Sequence, residues 1–333
     1  MINDDHLLEF EEKLKYIPKG ELFVETHQLC QDEAVLQTEH FNSFSDGVGI
    51  TKIFPVFSGI EISLNQFRAS RFSFHHEPMH SVIQINHCRN GRMGWELKDG
   101  LSIYLGSGDL SLHMLDTCAE SEMSLPLGFY EGMAISVDIE KLAADMPEII
   151  NDAGIDIVKI TKKFCGNGKV TALPASEKIS HIFSEMYDLP PKMCIPYFKL
   201  KVQELLLFLD MLEVSEEKEL TKYFSEQVEI IKEIHKQLTE NLDKRFTIEE
   251  LSKQYPINTS SMKSVFKAVY GAPIASYMKE YRVKQAAVLL RDSNKTIAEI
   301  SEAVGYESQS KFSNAFKEVM QILPAAYRKQ YRN

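Results

Sequence analysis

At 333 residues the chain is longer than one typical core requires, so two domains and a connector are expected. A hydrophobic fraction of 44% beside 26% charged residues fits an ordinary soluble globular protein. The longest apolar run, Leu205–Leu209, excludes a membrane-spanning helix, which needs roughly 18 residues. The net charge of −11 is segregated: from Glu226 onward 17 Lys+Arg stand against 13 Asp+Glu, a balance of +4, which leaves −15 on the remainder. Only that last part is suited to phosphate.

The opening Met1–Phe10 is acidic and lacks the basic and apolar segments of a secretory leader, so a cytoplasmic protein is expected. The five cysteines, Cys30, Cys88, Cys118, Cys165 and Cys194, are scattered and odd in number. They read as reduced thiols rather than a disulfide framework or zinc site.

Residues 1–165 read as a strand-rich domain. Short stretches rich in Val, Ile, Phe and Tyr (Ser70–Phe74, Ser81–Ile85, Met93–Leu97, Ser102–Leu105) are separated by turn signals at Asn90-Gly91, Asp99-Gly100 and Gly106-Ser107-Gly108-Asp109. Such spacing predicts a β-sandwich or small barrel, with helices near Ile139–Asp145 and Pro147–Ala153. His75-His76-Glu77 with His80 and His87 suggests metal ligation, but adjacent strand residues point to opposite faces, so His75 and His76 cannot share a site. No metal or other cofactor is expected. Nor does any nucleophile, paired-carboxylate or phosphate-loop motif point to catalysis.

Residues 166–225 change to a helical period. Ile179, Ile182, Phe183 and Met186 mark one stripe, and Leu189-Pro190-Pro191 breaks it. After Pro196, Phe198, Val202, Leu205, Leu209 and Leu212 make a second stripe, which Leu206, Leu207 and Phe208 widen nearly all round. A helix of that kind is buried on more than one side, against the strand domain or also against a second copy of the chain. The acidic Glu213–Glu219 reads as a solvated linker.

Residues 226–333 read as all helix and contain an internal repeat. Thr247-Ile248-Glu249-Glu250 matches Thr296-Ile297-Ala298-Glu299, Phe266-Lys267-Ala268-Val269 matches Phe316-Lys317-Glu318-Val319, and Tyr277 matches Tyr327. Both openings are T-x-x-E capping boxes, which fix a helix start. The first helices, Ile248–Gln254 and Ile297–Val304, are followed by turns at Pro256-Ile257 and Gly305-Tyr306. Second helices then start from the N-caps Asn258 and Ser308. Their inner faces carry Met262, Val265, Phe266 and Val269, or Phe312, Ala315, Phe316 and Val319, while the outer faces are small and polar. That is the arrangement that places a helix in the major groove. A bridging helix over Ile274–Arg291 sets the separation of the two units.

The second unit, from Thr296 through Val304-Gly305-Tyr306-Glu307-Ser308-Gln309-Ser310-Lys311-Phe312-Ser313-Asn314-Ala315-Phe316-Lys317 to Pro324-Ala325-Ala326-Tyr327-Arg328, closely resembles the DNA-binding domain of the AraC/XylS family of transcription regulators. The first matches more loosely, through Met262, Phe266-Lys267, Gly271, Tyr277, Arg282 and Ala286. Two departures stand out: Gln321, where most members have Gly, and Pro256 in the first turn, which removes a backbone donor. Family pattern and helical phase together assign base reading to Ser260, Lys263 and Ser264, and to Gln309, Ser310, Lys311, Ser313 and Asn314. Lys267, Arg282, Lys317 and Arg328 read equally as phosphate contacts or internal ion pairs.

The resemblance implies an α+β protein: an N-terminal cupin-like barrel or sandwich for a small-molecule effector, a helical dimerisation connector and a C-terminal all-α domain with two helix-turn-helix units. It also implies promoter DNA and RNA polymerase as partners, a homodimer and an activator role. The aromatic residues Phe72, Phe74, Trp95 and Tyr104 are the candidates for the effector pocket. Ser81–Asp109 and Tyr197-Phe198-Lys199-Leu200-Lys201 resemble, more weakly, the siderophore-responsive branch. A cupin-type metalloenzyme fused to a DNA-binding domain is the alternative.

Overall fold

The computed structural model describes residues 12, 14–28, 35–42, 44–73, 80–97, 99–118, 122–213, 215 and 219–331, with the backbone alone at 28, 35–42, 44, 45, 73 and 118. The chain divides into two compact units, Met1–Lys222 and Tyr223–Asn333.

The first unit is built on thirteen described strands: β1 (Glu21–Gln28), β2 (Val35–Asn42), β3 (Phe44–Ser45), β4 (Val48–Phe57), β5 (Ile60–Arg68), β6 (Arg71–Ser73), β7 (Val82–Gly91), β8 (Met93–Glu96), β9 (Leu101–Leu105), β10 (Leu110–Met114), β11 (Glu122–Ser124), β12 (Tyr130–Asp138) and β13 (Thr171–Leu173). One sheet runs β13-β10-β7-β12-β5-β4-β1-β2, and the other runs β9-β8-β11-β6-β3 within this unit. All these pairings are antiparallel except β1 with β4. The α-helices whose bounds are described are α1 (Ile139–Ala144), α2 (Glu148–Asp152), α3 (Ile157–Cys165), α4 (Glu177–Phe183) and α5 (Cys194–Met211).

Period-two alternation puts the central strands of the larger sheet between two cores. On one side Leu22, Phe67, Cys88 and Tyr130 meet Phe72, Met93, Trp95, Ile103 and Leu105 of the smaller sheet. On the other side Ile62, Ile85, Leu112, Met133, Ile135 and Val137 meet the helices. That is why β12 is apolar on both faces.

The expected strands appear, with corrected ends. Ser81–Ile85 is only the start of β7, and Phe74 lies outside the described residues. Asn90-Gly91 is a corner rather than a hairpin turn, since β8 follows after a single residue and belongs to the other sheet. Gly91 holds φ +83°, and a Cβ there would lie 2.4 Å from the Phe129 carbonyl oxygen. Both expected helices form, as α1 and α2. Helix α3, capped by Asp156, has an amphipathic pattern that the strand reading passed over.

Much of segment 166–225 contributes to the first unit. Helix α5 buries Phe198, Val202, Leu205, Leu206 and Leu209 in the helix-side core, with Leu207 and Phe208 partly buried against it. Lys163 donates from Nζ to the Leu209 and Asp210 carbonyls, at 2.9 and 2.8 Å, and so satisfies the end of α5. Leu200, 61% exposed, stands outside this packing.

The second unit has seven helices among the described residues: α6 (Ser225–Glu240), α7 (Ile248–Gln254), α8 (Thr259–Tyr270), α9 (Ile274–Asp292), α10 (Ile297–Ala303), α11 (Gln309–Met320) and α12 (Pro324–Tyr331). No described helix is long and apolar enough to cross a membrane.

Candidate nucleic-acid interface

Each helix-turn-helix starts where its sequence dictates. In α7 the Thr247 hydroxyl accepts from the Glu250 N–H at 3.1 Å, and the Glu250 carboxylate accepts from the Thr247 N–H at 2.8 Å. Thr296 and Glu299 repeat this at α10, at 3.2 and 2.6 Å. These bonds favour the ionised carboxylates and hold both glutamates below their ordinary range. The second helices are capped by Asn258, whose Oδ1 accepts from the Ser261 N–H, and by Ser308, whose Oγ accepts from the Lys311 N–H. Pro256 is absorbed in the turn, because the first helix already ends at Tyr255 and Asn258 caps the next.

The two second helices end alike. Gly271 closes α8 with φ +83°, and Gln321 closes α11 with φ +60°. Each donates its N–H to the carbonyl four residues earlier, that of Lys267 or Lys317. The departure from Gly at 321 therefore keeps the left-handed cap and puts a side chain on it.

Packing leaves one face of each second helix free. Met262, Val265, Phe266, Val269 and Tyr270 are buried on α8; Phe312, Ala315 and Phe316 are buried on α11. Opposite them, Ser260, Lys263, Ser264 and Lys267 are all exposed, as one helical face requires at that spacing. The equivalent positions on α11 are Ser310, Ser313, Asn314 and Lys317, of which Ser313 is half-buried and the others exposed. Gln309 and Lys311 flank this face, also exposed. Lys311 Nζ pairs with Glu307 at 2.6 Å, and the Ser264 hydroxyl donates to the Ser261 carbonyl at 3.1 Å.

Arg282 and Arg328 resolve differently from the ion-pair reading. Arg282 donates from Nη2 to the Lys244 carbonyl at 2.8 Å. Arg328 donates to the Leu290 and Lys295 carbonyls, at 3.3 and 2.6 Å. Each guanidinium thus holds the loop ahead of one capping box.

The two helix-turn-helix units share α9, whose 19 residues span about 28 Å at 1.5 Å per residue. They also meet directly. Arg245, in the loop before α7, donates from Nε to the Gly305 carbonyl in the turn after α10, at 3.3 Å. Lys279 of α9 pairs with Glu318 of α11 at 2.6 Å.

Sequence reasoning missed His235. It stacks on Tyr270 with ring centroids 4.1 Å apart and shares a 2.8 Å hydrogen bond, through Nε2, with the Tyr277 hydroxyl. Burial pushes its pKa down to about 4, so it sits neutral among aromatic rings. The only signal was its place in the stripe Val228, Ile231, Ile234 and Leu238, which reads as core.

In the first unit, Phe72 and Trp95 lie in the core between the sheets, and the Tyr104 ring packs where a Cβ on Gly94 would stand. Trp95 is 5.7 Å from His113, ring to ring. Among the described residues, Trp95 Nε1 and the Ser111 hydroxyl are buried without a hydrogen-bond partner. Ser111 pairs across the sheet with Asn86 and Ala172, which places it on the face towards the smaller sheet. His75, His76 and Glu77 lie outside the described residues. Among the described residues no group of three or more His, Cys, Asp or Glu is gathered as a metal site.

Residues 251–330 match the family model described as a helix-turn-helix domain. An AraC-like transcription regulator of Streptomyces lividans is 37% identical over 84 residues, 25% of this chain and 28% of its own length. The transposon Tn10 TetD protein of Escherichia coli is 31% identical over 100 residues, 30% of this chain and 72% of that protein. Among solved structures, the C-terminal domain of AraT, a response regulator from Geobacillus stearothermophilus, is 26% identical over 31% of this chain and 87% of that one, with a TM-score of 0.30. The match thus covers little more than a quarter of the Streptomyces relative's length.

Proposed function

This chain belongs to the AraC/XylS family of transcription regulators, and from that premise we propose that it is a cytoplasmic, sequence-specific DNA-binding regulator controlled by a small molecule bound in the sheet-rich unit. The observation that carries the DNA reading is the pair of exposed polar faces on α8 and α11, at equivalent positions of a repeat whose halves are bonded to each other. For both to enter successive major grooves on one side of a duplex, their separation has to be near one turn, ~34 Å.

In this reading Ser260, Lys263, Ser264, Gln309, Ser310, Lys311, Ser313 and Asn314 read bases, with Asn314 and Gln309 suited to adenine. Lys267 and Lys317 sit on phosphates. Lys311 reaches a base only after leaving Glu307, and surface pairs of this kind hold weakly. The effector role of the first unit is supported by Trp95 Nε1 and Ser111 Oγ, since buried polar atoms are ordinarily hydrogen-bonded. Dimerisation through α5 and recruitment of RNA polymerase as an activator complete the proposal; the exposed Leu200 on α5 is what favours the former.

The test is a footprint of the full chain on DNA upstream of its own and neighbouring genes. Protection that weakens steeply with salt, as neutralisation of ~6–10 phosphates requires, supports the reading. Salt-insensitive or absent protection contradicts it. For the effector, a thermal-shift screen of siderophores, sugars, fatty acids and bile acids gives a raised melting temperature for the true ligand.

A further inference from the structure

The second unit holds a cleft of about 410 Å³ beside the junction of its two halves. Its walls are Leu238, Phe246, Ile248, Leu251, Ile274 and Met278, and its cationic rim is formed by Arg245, Lys279 and Arg282, next to Tyr306. A mostly apolar concavity with a few convergent polar groups is the usual form of a small-molecule site, and the volume lies in the usual range of ~300–1,000 Å³.

The carboxylates near that rim are bonded to lysines, although Glu307 also feels the charge of Arg245. Glu318 is taken by Lys279 at 2.6 Å, and Glu307 by Lys311 at 2.6 Å. Among the described residues, the hydrogen-bond acceptors of Arg245 and Arg282 are backbone carbonyls, those of Gly305 and Lys244. Arg282 Nε is buried with no hydrogen-bond partner among the described residues. Burial, and then the neighbouring Arg245, hold the Arg282 guanidinium below its ordinary range. Two like charges at the edge of an apolar cavity, one of them half-buried, are relieved by an anion.

We propose that this cleft binds an amphipathic monocarboxylate, with its carboxylate between Arg245 and Arg282 and its apolar body along Ile274, Met278 and Leu251. A planar guanidinium is matched to a carboxylate, and the apolar lining selects against free phosphate. The site is separate from any effector site between the sheets of the first unit, and it does not depend on that reading.

The test is calorimetric titration of the full chain with octanoate, with 1-octanol and inorganic phosphate as the uncharged and the purely anionic probes. Octanoate is expected to give saturable 1:1 heat in the millimolar range or tighter, with at least tenfold weaker binding of either control. Arg245→Gln is expected to weaken octanoate at least fivefold. Ala275→Phe, at an exposed position of the cleft wall, is expected to abolish binding while leaving the melting temperature of the free protein within a few degrees of wild type. Octanoate and octanol binding alike, octanoate giving no saturable heat, or Ala275→Phe binding octanoate as the wild type does would each overturn the site. An operator footprint is unaffected by those outcomes, so the DNA-binding reading stands or falls separately.

Discussion

Gly305 faces the carbonyl of Leu242 so closely that a Cβ on it would lie 2.1 Å from that oxygen. With φ +79° as well, the turn of the second helix-turn-helix is fitted to the loop that precedes the first. Gly305→Ala therefore has to shift either the turn or the loop, and is expected to destabilise the second unit by ~2–3 kcal/mol. Arg245→Gln removes a single bond across the same junction, worth ~1 kcal/mol. Denaturant unfolding followed by helical circular dichroism checks both. An alanine at 305 that leaves the midpoint unchanged contradicts the close fit.

The left-handed cap at Gln321 makes the opposite kind of substitution favourable. A residue with a Cβ costs roughly 1 kcal/mol in that conformation, whereas glycine adopts it freely. Gln321 recovers part of this through its side-chain amide, which donates to the Glu318 carbonyl at 2.8 Å. Gln321→Gly is expected to stabilise the second unit by ~0.5 kcal/mol, read as a higher denaturation midpoint. A clear loss of stability would show that the side-chain bond outweighs the backbone term.

Acid should loosen the second unit before its carboxylates titrate. Burial holds His235 at about 4, against its ordinary 6.5, so between those values the unfolded chain binds more protons than the folded one. The associated stability is whole above 6.5 and is lost as pH falls towards 4, on the order of 1 kcal/mol after allowing for partial exposure. His87 in the first unit follows the same direction, also held at about 4 by burial first and then by Arg89. Melting temperatures at pH 7.5 and 5 should therefore differ, and His235→Phe should reduce that difference. An unchanged difference in the variant would remove His235 from the account.

The cations on the two exposed faces separate by kind. Lys267→Ala and Lys317→Ala should each lower the slope of log binding constant against log salt by about 0.9, and weaken all sequences equally. Arg328→Ala should instead lower stability, because that side chain is spent on the Leu290 and Lys295 carbonyls. Filter binding across a salt series, beside thermal melts, tells the two apart.

The sequence made the second unit legible because its signals are local. Capping residues Thr247, Asn258, Thr296 and Ser308 each fix a helix start within one turn, and the buried stripes repeat at helical spacing. What it hid is set by residues far apart in the chain. Arg245 meets Gly305 only after folding, and the aromatic setting of His235 comes from two other helices. In the first unit the short strands were visible, but Asn90-Gly91 read as an ordinary turn because nothing local marks a change of sheet. The inward polar positions Ser111 and Asn86 were equally hidden, since their common face depends on β10 pairing with β7.

The central claim is that the exposed face of α11 reads bases, and Asn314 tests it most directly. Affinities of the wild type and of Asn314→Ala should be measured on the footprinted operator and on its single-base variants. One base pair, an adenine on one strand, should lose ~1–3 kcal/mol of discrimination in the alanine protein while the other positions keep theirs. Discrimination unchanged at every position would contradict the assignment of that face to the groove.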